Sequence, residues 1–380
     1  MPAELLIGAD VVPTSKNVGS FSKGDALALV GQDLLDVLNH ADYRICNMEA
    51  PLTDKEDPID KCGPNLIAPS SAINGYKAMG IDFVTLANNH ILDQGEQGLV
   101  STIELLKQNG IAYCGAGKNL EEAQKPFVFE FDGKKVGVYA CVEHEFTCAT
   151  DSLPGANPYD PLESFDDVLK LKSKVDYLIV LYHGGKEHYR YPSPNLQRRC
   201  RKFVEKGANL VICQHSHIIG AKEEYKDGTI VYGQGNFLFD MGDDEGSKTS
   251  LLIKLDEEFK VTYIPLVKDG NGVTLAKGDT AKKILDNFEN RSEEIKQDGI
   301  VESKYEEFAS SMVDSYLLTV SGKRRSFFFR VINKLSGYRY MKWWARHKFR
   351  KQNLLGVENY INCEAHRELF LRGVFGRRSK

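Results

Sequence analysis

Two histidines one residue apart close the apolar run Val211-Ile212-Cys213-Gln214-His215-Ser216-His217. In a loop at a strand end, His-x-His can aim both imidazoles at one point, which is what a metal ion needs of its ligands. Four other apolar runs end in side chains of the same chemical class. Leu5-Leu6-Ile7 leads to Asp10, Tyr43-Arg44-Ile45-Cys46 to Glu49, Phe83-Val84-Thr85-Leu86-Ala87 to Asn89, and residues 176–182 to His183.

Each of these residues alone has an ordinary explanation. A strand-end Asp is commonly a helix cap, paired Asn residues suit a turn, and a single Glu or His is usually a solvated or satisfied polar group. Recurrence at one structural position is what weighs against those readings. In an open α/β sheet the carboxyl ends of parallel strands face a common crevice. Asp10, Glu49, Asn89, His183, His215 and His217 would therefore converge there. Carboxylate, amide oxygen and imidazole together suit one or two divalent transition ions (Mn, Fe or Zn) better than Ca or Mg. Glu49 is the expected bridge between two ions, which at a separation of about 3.5–4 Å could clamp a phosphoryl group and activate water.

Around this set lie further candidates. Lys186, Glu187 and His188 follow His183 closely and would line the same mouth, with His188 either an acid–base group or a structural one. Lys186 and Arg190 could bind an anionic substrate through charge-assisted hydrogen bonds, or stand as solvated cations. Glu143-His144-Glu145 ends another apolar run and is a weaker candidate. Gly233, Gly235 and Asn236 are expected to form a tight turn against the site, with Asn236 facing substrate.

The elements that must position these residues alternate. Strand-like runs at residues 5–10, 43–46, 83–87 and 176–182 are interleaved with helical spacing at 25–40, 73–79, 99–108, 165–172 and 196–206. Asp132-Gly133 joins two strand-like runs as a hairpin. Residues 53–69, rich in Pro, Asp and Lys, read as an irregular loop. From Ile218 the pattern becomes consecutive strands, expected to be antiparallel, and residues 281–320 read as polar helix. βα units followed by a strand run predict two packed sheets with helices outside. The expected division is residues 1–270 and 271–380.

Composition fits a globular chain, at 42% hydrophobic and 27% charged residues. The formal charge of −4 hides an asymmetry: residues 321–380 hold 16 Lys and Arg against 3 Asp and Glu. Residues 323–351 interleave eleven basic residues with Phe327-Phe328-Phe329, Trp343 and Trp344 and contain no acidic residue. That segment could cap the main domain or lie on an anionic membrane surface; no recognised nucleic-acid module accompanies it, so nucleic acid is not an expected partner. Eight cysteines without a C-x-x-C pair read as reduced, mostly buried thiols. With no signal-like N-terminus and no long apolar stretch, the expected location is cytoplasmic, with peripheral contact at the inner membrane face the other expectation.

In order, the motifs Gly8-Ala9-Asp10, Asn47-Met48-Glu49-Ala50-Pro51-Leu52-Thr53, Leu86-Ala87-Asn88-Asn89-His90-Ile91-Leu92-Asp93-Gln94-Gly95, His183-Gly184-Gly185-Lys186-Glu187-His188, Gln214-His215-Ser216-His217 and Tyr232-Gly233-Gln234-Gly235-Asn236-Phe237 resemble the CapA family. That family, named for poly-γ-glutamate capsule synthesis, lies in the calcineurin-like metallophosphoesterase superfamily. The likeness runs over roughly residues 4–266. It implies an α/β fold, a four-layer α/β/β/α sandwich of the metallophosphoesterase type, here with a C-terminal helical basic extension. It also implies metal-ligand roles for the six converging residues and a catalytic role for His90, donating a hydrogen bond or proton to the leaving group, with Asp93 beside it. A phosphoester or anionic polymer substrate and a partnership with capsule-synthesis machinery follow from the same likeness. Two positions depart from the superfamily pattern. Val12 stands where a histidine usually follows the first Asp, and Glu49 stands where the bridge is usually Asp.

Overall fold

A computed structural model describes residues 2–239 and 246–378. Four short apolar runs, β1 (Leu5–Val11), β2 (Tyr43–Met48), β3 (Phe83–Thr85) and β4 (Ala112–Cys114), lie parallel in that order. Helices α1 (Val18–Lys23), α2 (Ala26–His40), α3 (Ile73–Ala78) and α4 (Gly95–Gln108) connect them. Asp25 starts α2 by accepting the Ala28 N–H, and the helix kinks at Gly31, whose φ is 65°. Leu29, Val30, Leu34 and Leu38 of α2 recur at helical spacing and are buried against one face of this sheet.

A short ribbon pairs β5 (Ala116–Gly117) with β8 (Gly155–Ala156), and the small helix α5 (Leu120–Ala123) packs on it. Between them, β6 (Phe127–Phe131) and β7 (Lys134–Val142) form the expected hairpin, turning at Asp132 and Gly133 with φ of 48° and 73°. The second sheet adds β9 (Tyr177–His183), β10 (Leu210–Gln214), β11 (Lys222–Tyr225) and β12 (Gly228–Val231), in the order β11-β12-β10-β9-β7-β6. Its connecting helices are α6 (Ser164–Lys172) and α7 (Pro194–Glu205), the latter started by Ser193, which accepts the Leu196 N–H.

The chain then returns to the first sheet with β13 (Asn236–Leu238), β14 (Thr249–Leu255), β15 (Val261–Asp269) and β16 (Gly272–Leu275). Here the expectation of a purely antiparallel run fails. β12 turns back from β11 in an antiparallel hairpin and so lies parallel to β10, and β13 crosses to the first sheet to lie parallel to β1, neither of which alternation along a strand records.

Three apolar clusters make four layers. Ile7, Ile45, Phe83 and Ile253 of the first sheet meet Val138, Ile179 and Ile212 of the second in a core between the sheets. A second cluster lies under α2, α3 and α4, and a third joins α6 and α7 to the outer face of the second sheet. The architecture is therefore α/β/β/α.

Helix α8 (Gly278–Glu294) corrects the expected boundary at residue 270. Its Ile284 and Phe288 are buried in the inter-sheet core, and Phe288 meets the Tyr263 ring at 4.9 Å. Residues through Glu302 accordingly form one compact unit, and Ser303 onward another. The second unit holds most of α9 (Ile300–Val320), then α10 (Phe327–Leu335), α11 (Tyr340–Lys348), α12 (Lys351–Asn362) and α13 (Glu364–Arg378). All eight cysteines are free, and Cys46, Cys141 and Cys213 are buried in strands as expected. No helix among the described residues is long and apolar enough to cross a membrane.

A candidate metal centre at the strand ends

Strand register decides which side chains meet. In the first sheet Asp10 pairs with Asn47, and Asn47 with Thr85; in the second, Val142 pairs with His183, and His183 with Gln214. Both sheets thus end level, and the residues at or just beyond those pairs are Asp10, Glu49, Asn89, Glu143, His183 and His215.

His183 is buried and held from both sides. Its Nδ1 lies 3.2 Å from Asn47 Nδ2, an amide donor, so Nδ1 is the accepting nitrogen. Nε2 then faces two acceptors, Asn89 Oδ1 at 3.0 Å and Glu49 Oε1 at 3.1 Å. One N–H cannot serve both. Its bond is aligned on Asn89, and both carboxylate oxygens of Glu49 remain buried without a hydrogen-bond partner. Burial, then the neighbouring Asp10 carboxylate, pushes Glu49 up to about 8, with His217 and His90 partly offsetting. Burial likewise pushes His183 down to about 4.

Asp10 is anchored by two donors, Asn47 Nδ2 at 2.8 Å on Oδ1 and the His215 backbone N–H at 3.2 Å on Oδ2. The His215-Ser216-His217 loop is strained: His215 and His217 have φ of 89° and 59°, conformations that cost of order 1–3 kcal/mol each. The strain is held by Ser216, whose hydroxyl donates to Ile218 O at 3.0 Å and whose carbonyl accepts from His188 N–H at 2.9 Å. Gly233, at φ 148°, packs so closely that a Cβ there would lie 2.6 Å from Ser216 Oγ. The two imidazoles are aimed by this loop, not by strand alternation.

His217 donates from Nδ1 to Asn236 Oδ1 at 2.9 Å, with Asp10 Oδ2 at 3.5 Å, which leaves Nε2 free. Burial opposes its protonation, yet Glu49, Asp10 and the Asn236 bond together raise its pKa. His215 carries an unpartnered buried Nδ1, and burial followed by the charges of His183 and His217 drives its pKa well down. One ligand atom each from Glu49, His215 and His217 lie within 4.8 Å of one another, and the same holds for Glu143, Glu145 and His215. Glu145 also accepts from Asn89 Nδ2 at 3.4 Å.

This donor set fits a cation on two counts. Spacings near 3 Å among Asn89 Oδ1, His183 Nε2 and Glu49 Oε1 are those of neighbouring ligand atoms around one ion with bonds of about 2.1 Å. A buried carboxylate with neither oxygen hydrogen-bonded is also what a cation site leaves when only protein atoms are counted. Val12, two residues past Asp10, is buried and apolar, so that position offers no ligand.

The remaining expected residues separate. His90 Nδ1 faces Asp93 Oδ2 at 2.5 Å, and Asp93 is fully buried. Lys61 closes the arrangement, its Nζ donating to Asp93 Oδ1 at 2.6 Å and to Asn89 O at 3.1 Å. Glu187 lies at the mouth, its Oε1 4.0 Å from His215 Nε2. His188 is exposed, its ring 6.2 Å from that of His217, and Lys186 is close enough for its charge to act on His215. Asn236, expected to face substrate, instead commits Oδ1 to His217 and Nδ2 to Phe239 O at 3.3 Å. Arg190, a candidate for binding an anionic substrate, donates to Ile219 O at 3.3 Å and lines a cavity of about 700 Å³ with Asn287 and Arg291.

Two residues escaped the sequence reading. Asn47 joins Asp10, His183 and Asn88, whose Nδ2 donates to Asn47 Oδ1 at 3.0 Å. Strand period two could have found it, since 47 and 49 share a face. Lys61 sits in the irregular loop, where nothing in the sequence distinguishes it from solvated lysines.

Comparison with known proteins adds family context. A family model described as bacterial capsule synthesis protein PGA_cap matches residues 10–241. The chain is similar to the capsule biosynthesis protein CapA of Bacillus anthracis, 30% identical over 215 residues covering 54% of this chain and 52% of that one. It is also similar to the PGA biosynthesis protein CapA of Bacillus subtilis strain 168, 28% identical over 212 residues covering 54% and 55%. The chain thus matches about half the length of these curated relatives. A crystal structure titled as a novel phosphatase from Mycoplasma pneumoniae aligns at TM-score 0.43 and 15% identity, covering 71% of this chain and 95% of that one.

Proposed function

The chain belongs to the bacterial capsule synthesis protein family, and from that premise we propose that it is a metal-dependent hydrolase acting on a phosphoester or related group in making an anionic capsule polymer. The observation that carries this reading is Glu49, a buried carboxylate with both oxygens unpaired, set among His183, Asn89, Asp10, His215 and His217. The relatives' names point to poly-γ-glutamate as the polymer and to capsule-synthesis machinery as the partner.

Asp10, Glu49, Asn89, His183, His215 and His217 would hold one or two divalent transition ions, which supply Lewis-acid polarisation of the phosphoryl group. The protein's own groups do the rest. Asp93 accepts from His90 Nδ1–H, and the imidazolium form of His90 would give its Nε2 proton to the leaving oxygen. Asp93 is a positioning residue in this scheme, and Lys61 balances its charge. Asn236 accepts from His217 Nδ1 and so leaves that ring's Nε2 for the centre, and Asn47 fixes the His183 ring through its Nδ1. Lys186, Glu187 and His188 border the mouth, where the lysine favours an anionic substrate.

A screen of aryl phosphate mono- and diesters with added Mn²⁺ tests the proposal. Activity should appear in the wild type and fall in both His217→Ala and His90→Ala. Activity indifferent to both substitutions would sink the hydrolase reading. A second reading, an accessory protein that binds metal and polymer without turnover, is favoured by Val12, which removes one ligand from the superfamily set. Metal retention with no turnover on any ester would select it.

A further inference from the structure

Helix α10 reads Phe-Phe-Phe-Arg-Val-Ile-Asn-Lys-Leu, and its three phenylalanines do not share a fate. Phe329 turns inward, meeting the rings of Tyr340 at 5.4 Å and Trp344 at 5.3 Å. Asn333 on the same inward side accepts the Met341 N–H at 3.0 Å, so α10 and α11 pack as a helical pair. Phe327, Phe328, Val331, Ile332 and Leu335 all remain exposed, Phe328 at 76% and Leu335 at 82%. At 100° per residue these five fall in one continuous arc of roughly 140°. A soluble helix normally hides such an arc against its neighbours; here the neighbours occupy the opposite side.

Charge identifies what covers it. Arg330 and Lys334 flank one edge of the arc, and Arg339, Lys342, Lys348 and Arg350 are exposed nearby. Residues 321–380 carry a net charge of +13. A second copy of this surface would bring like charges together. A nucleic-acid backbone would satisfy the cations but leave five large apolar side chains in water. An anionic bilayer surface satisfies both, taking apolar side chains at the acyl boundary and cations at the headgroups. Exposed Trp343, stacked on Tyr340, is the residue type that settles at that boundary.

We propose that α10 and the cations around it form a peripheral docking surface for an anionic lipid bilayer. The test uses the full chain with vesicles of phosphatidylcholine alone or mixed with phosphatidylglycerol. The chain's two tryptophans, Trp343 and Trp344, both belong to this unit and report on it directly. Co-sedimentation with the phosphatidylglycerol vesicles at low salt is expected, with a blue shift of tryptophan emission and release as salt rises. Phe328→Glu combined with Leu335→Glu should weaken binding by at least about tenfold while leaving the thermal melt unchanged, since both residues are exposed. Arg330→Glu with Lys334→Glu should weaken binding only to the anionic vesicles. Equal recovery with both vesicle types, or binding undiminished in the Phe328/Leu335 variant, would overturn the proposal. So would self-association that this variant abolishes in a protein that binds neither vesicle.

Discussion

Replacing Glu49 by Gln should stabilise the metal-free protein increasingly as pH rises. The carboxyl group's folded value is raised, mainly by burial, from 4.5 to about 8. Below the unfolded value both states are protonated and there is no penalty. Above it the unfolded chain ionises freely while the folded protein must keep the proton or bury a charge. Stability is therefore lost progressively from about pH 4.5 until pH passes the folded value. The full penalty of such a shift is about 5 kcal/mol, of which about 4 kcal/mol develops between roughly pH 5 and 8.5. Gln is nearly isosteric and does not ionise. The stability of Glu49→Gln minus that of wild type, measured by urea denaturation in EDTA, should therefore grow by about 4 kcal/mol across that range. His183 and His215 also titrate abnormally, but both proteins share them and the difference cancels them. With Mn²⁺ at about a hundred times its Kd the difference should narrow at every pH, since binding stabilises the wild type by about 2.7 kcal/mol and the variant far less. A stability difference that is flat with pH in EDTA would refute the reasoning that Glu49 is held as an unpaired acid.

Further expectations follow from the same geometry. Asn236→Ala frees the His217 ring and should weaken metal binding by roughly 10–100-fold, read by isothermal titration, with little change in the unliganded fold. Lys61→Met leaves the buried Asp93 carboxylate without its cation and should destabilise the protein by about 3–5 kcal/mol, measured by denaturation. His90→Asn should lower turnover by about 10²–10⁴-fold while metal content stays at the wild-type level, a split that assay and elemental analysis together would reveal. Gly233→Ala, which presses a methyl group against Ser216, should lower both stability and metal affinity by disturbing the His215–His217 loop.

Residue chemistry at the strand ends was legible because an apolar run and its first polar residue are local features, and parallel pairing then brings distant ends level. Glu49 and His183 meet for that reason, and the strained His215–His217 loop then aims its imidazoles at them. What lay outside the local pattern was not legible. Lys61 reaches Asp93 from an irregular loop with no periodicity to mark it. Asn236 turned out to brace His217, because the parallel pairing of β13 with β1 carries it beside that ring. Helix α8 looked like the start of a separate extension because it is mostly polar; Ile284 and Phe288, four residues apart on one face, were the sign that it belongs to the sandwich. The basic segment was legible as composition, but only the packing of Phe329 against Tyr340 and Trp344 separates its inward face from its exposed one.

The most direct test of the strand-end centre is its metal content, measured by elemental analysis of protein purified without chelator and reloaded with Mn²⁺ or Zn²⁺, beside His215→Ala and Glu49→Gln. Wild type is expected to retain at least about one equivalent, with both variants losing most of it. Less than about 0.3 equivalents of any transition metal in the wild type, or equal retention by all three proteins, would contradict a centre built on Glu49 and the strand-end histidines.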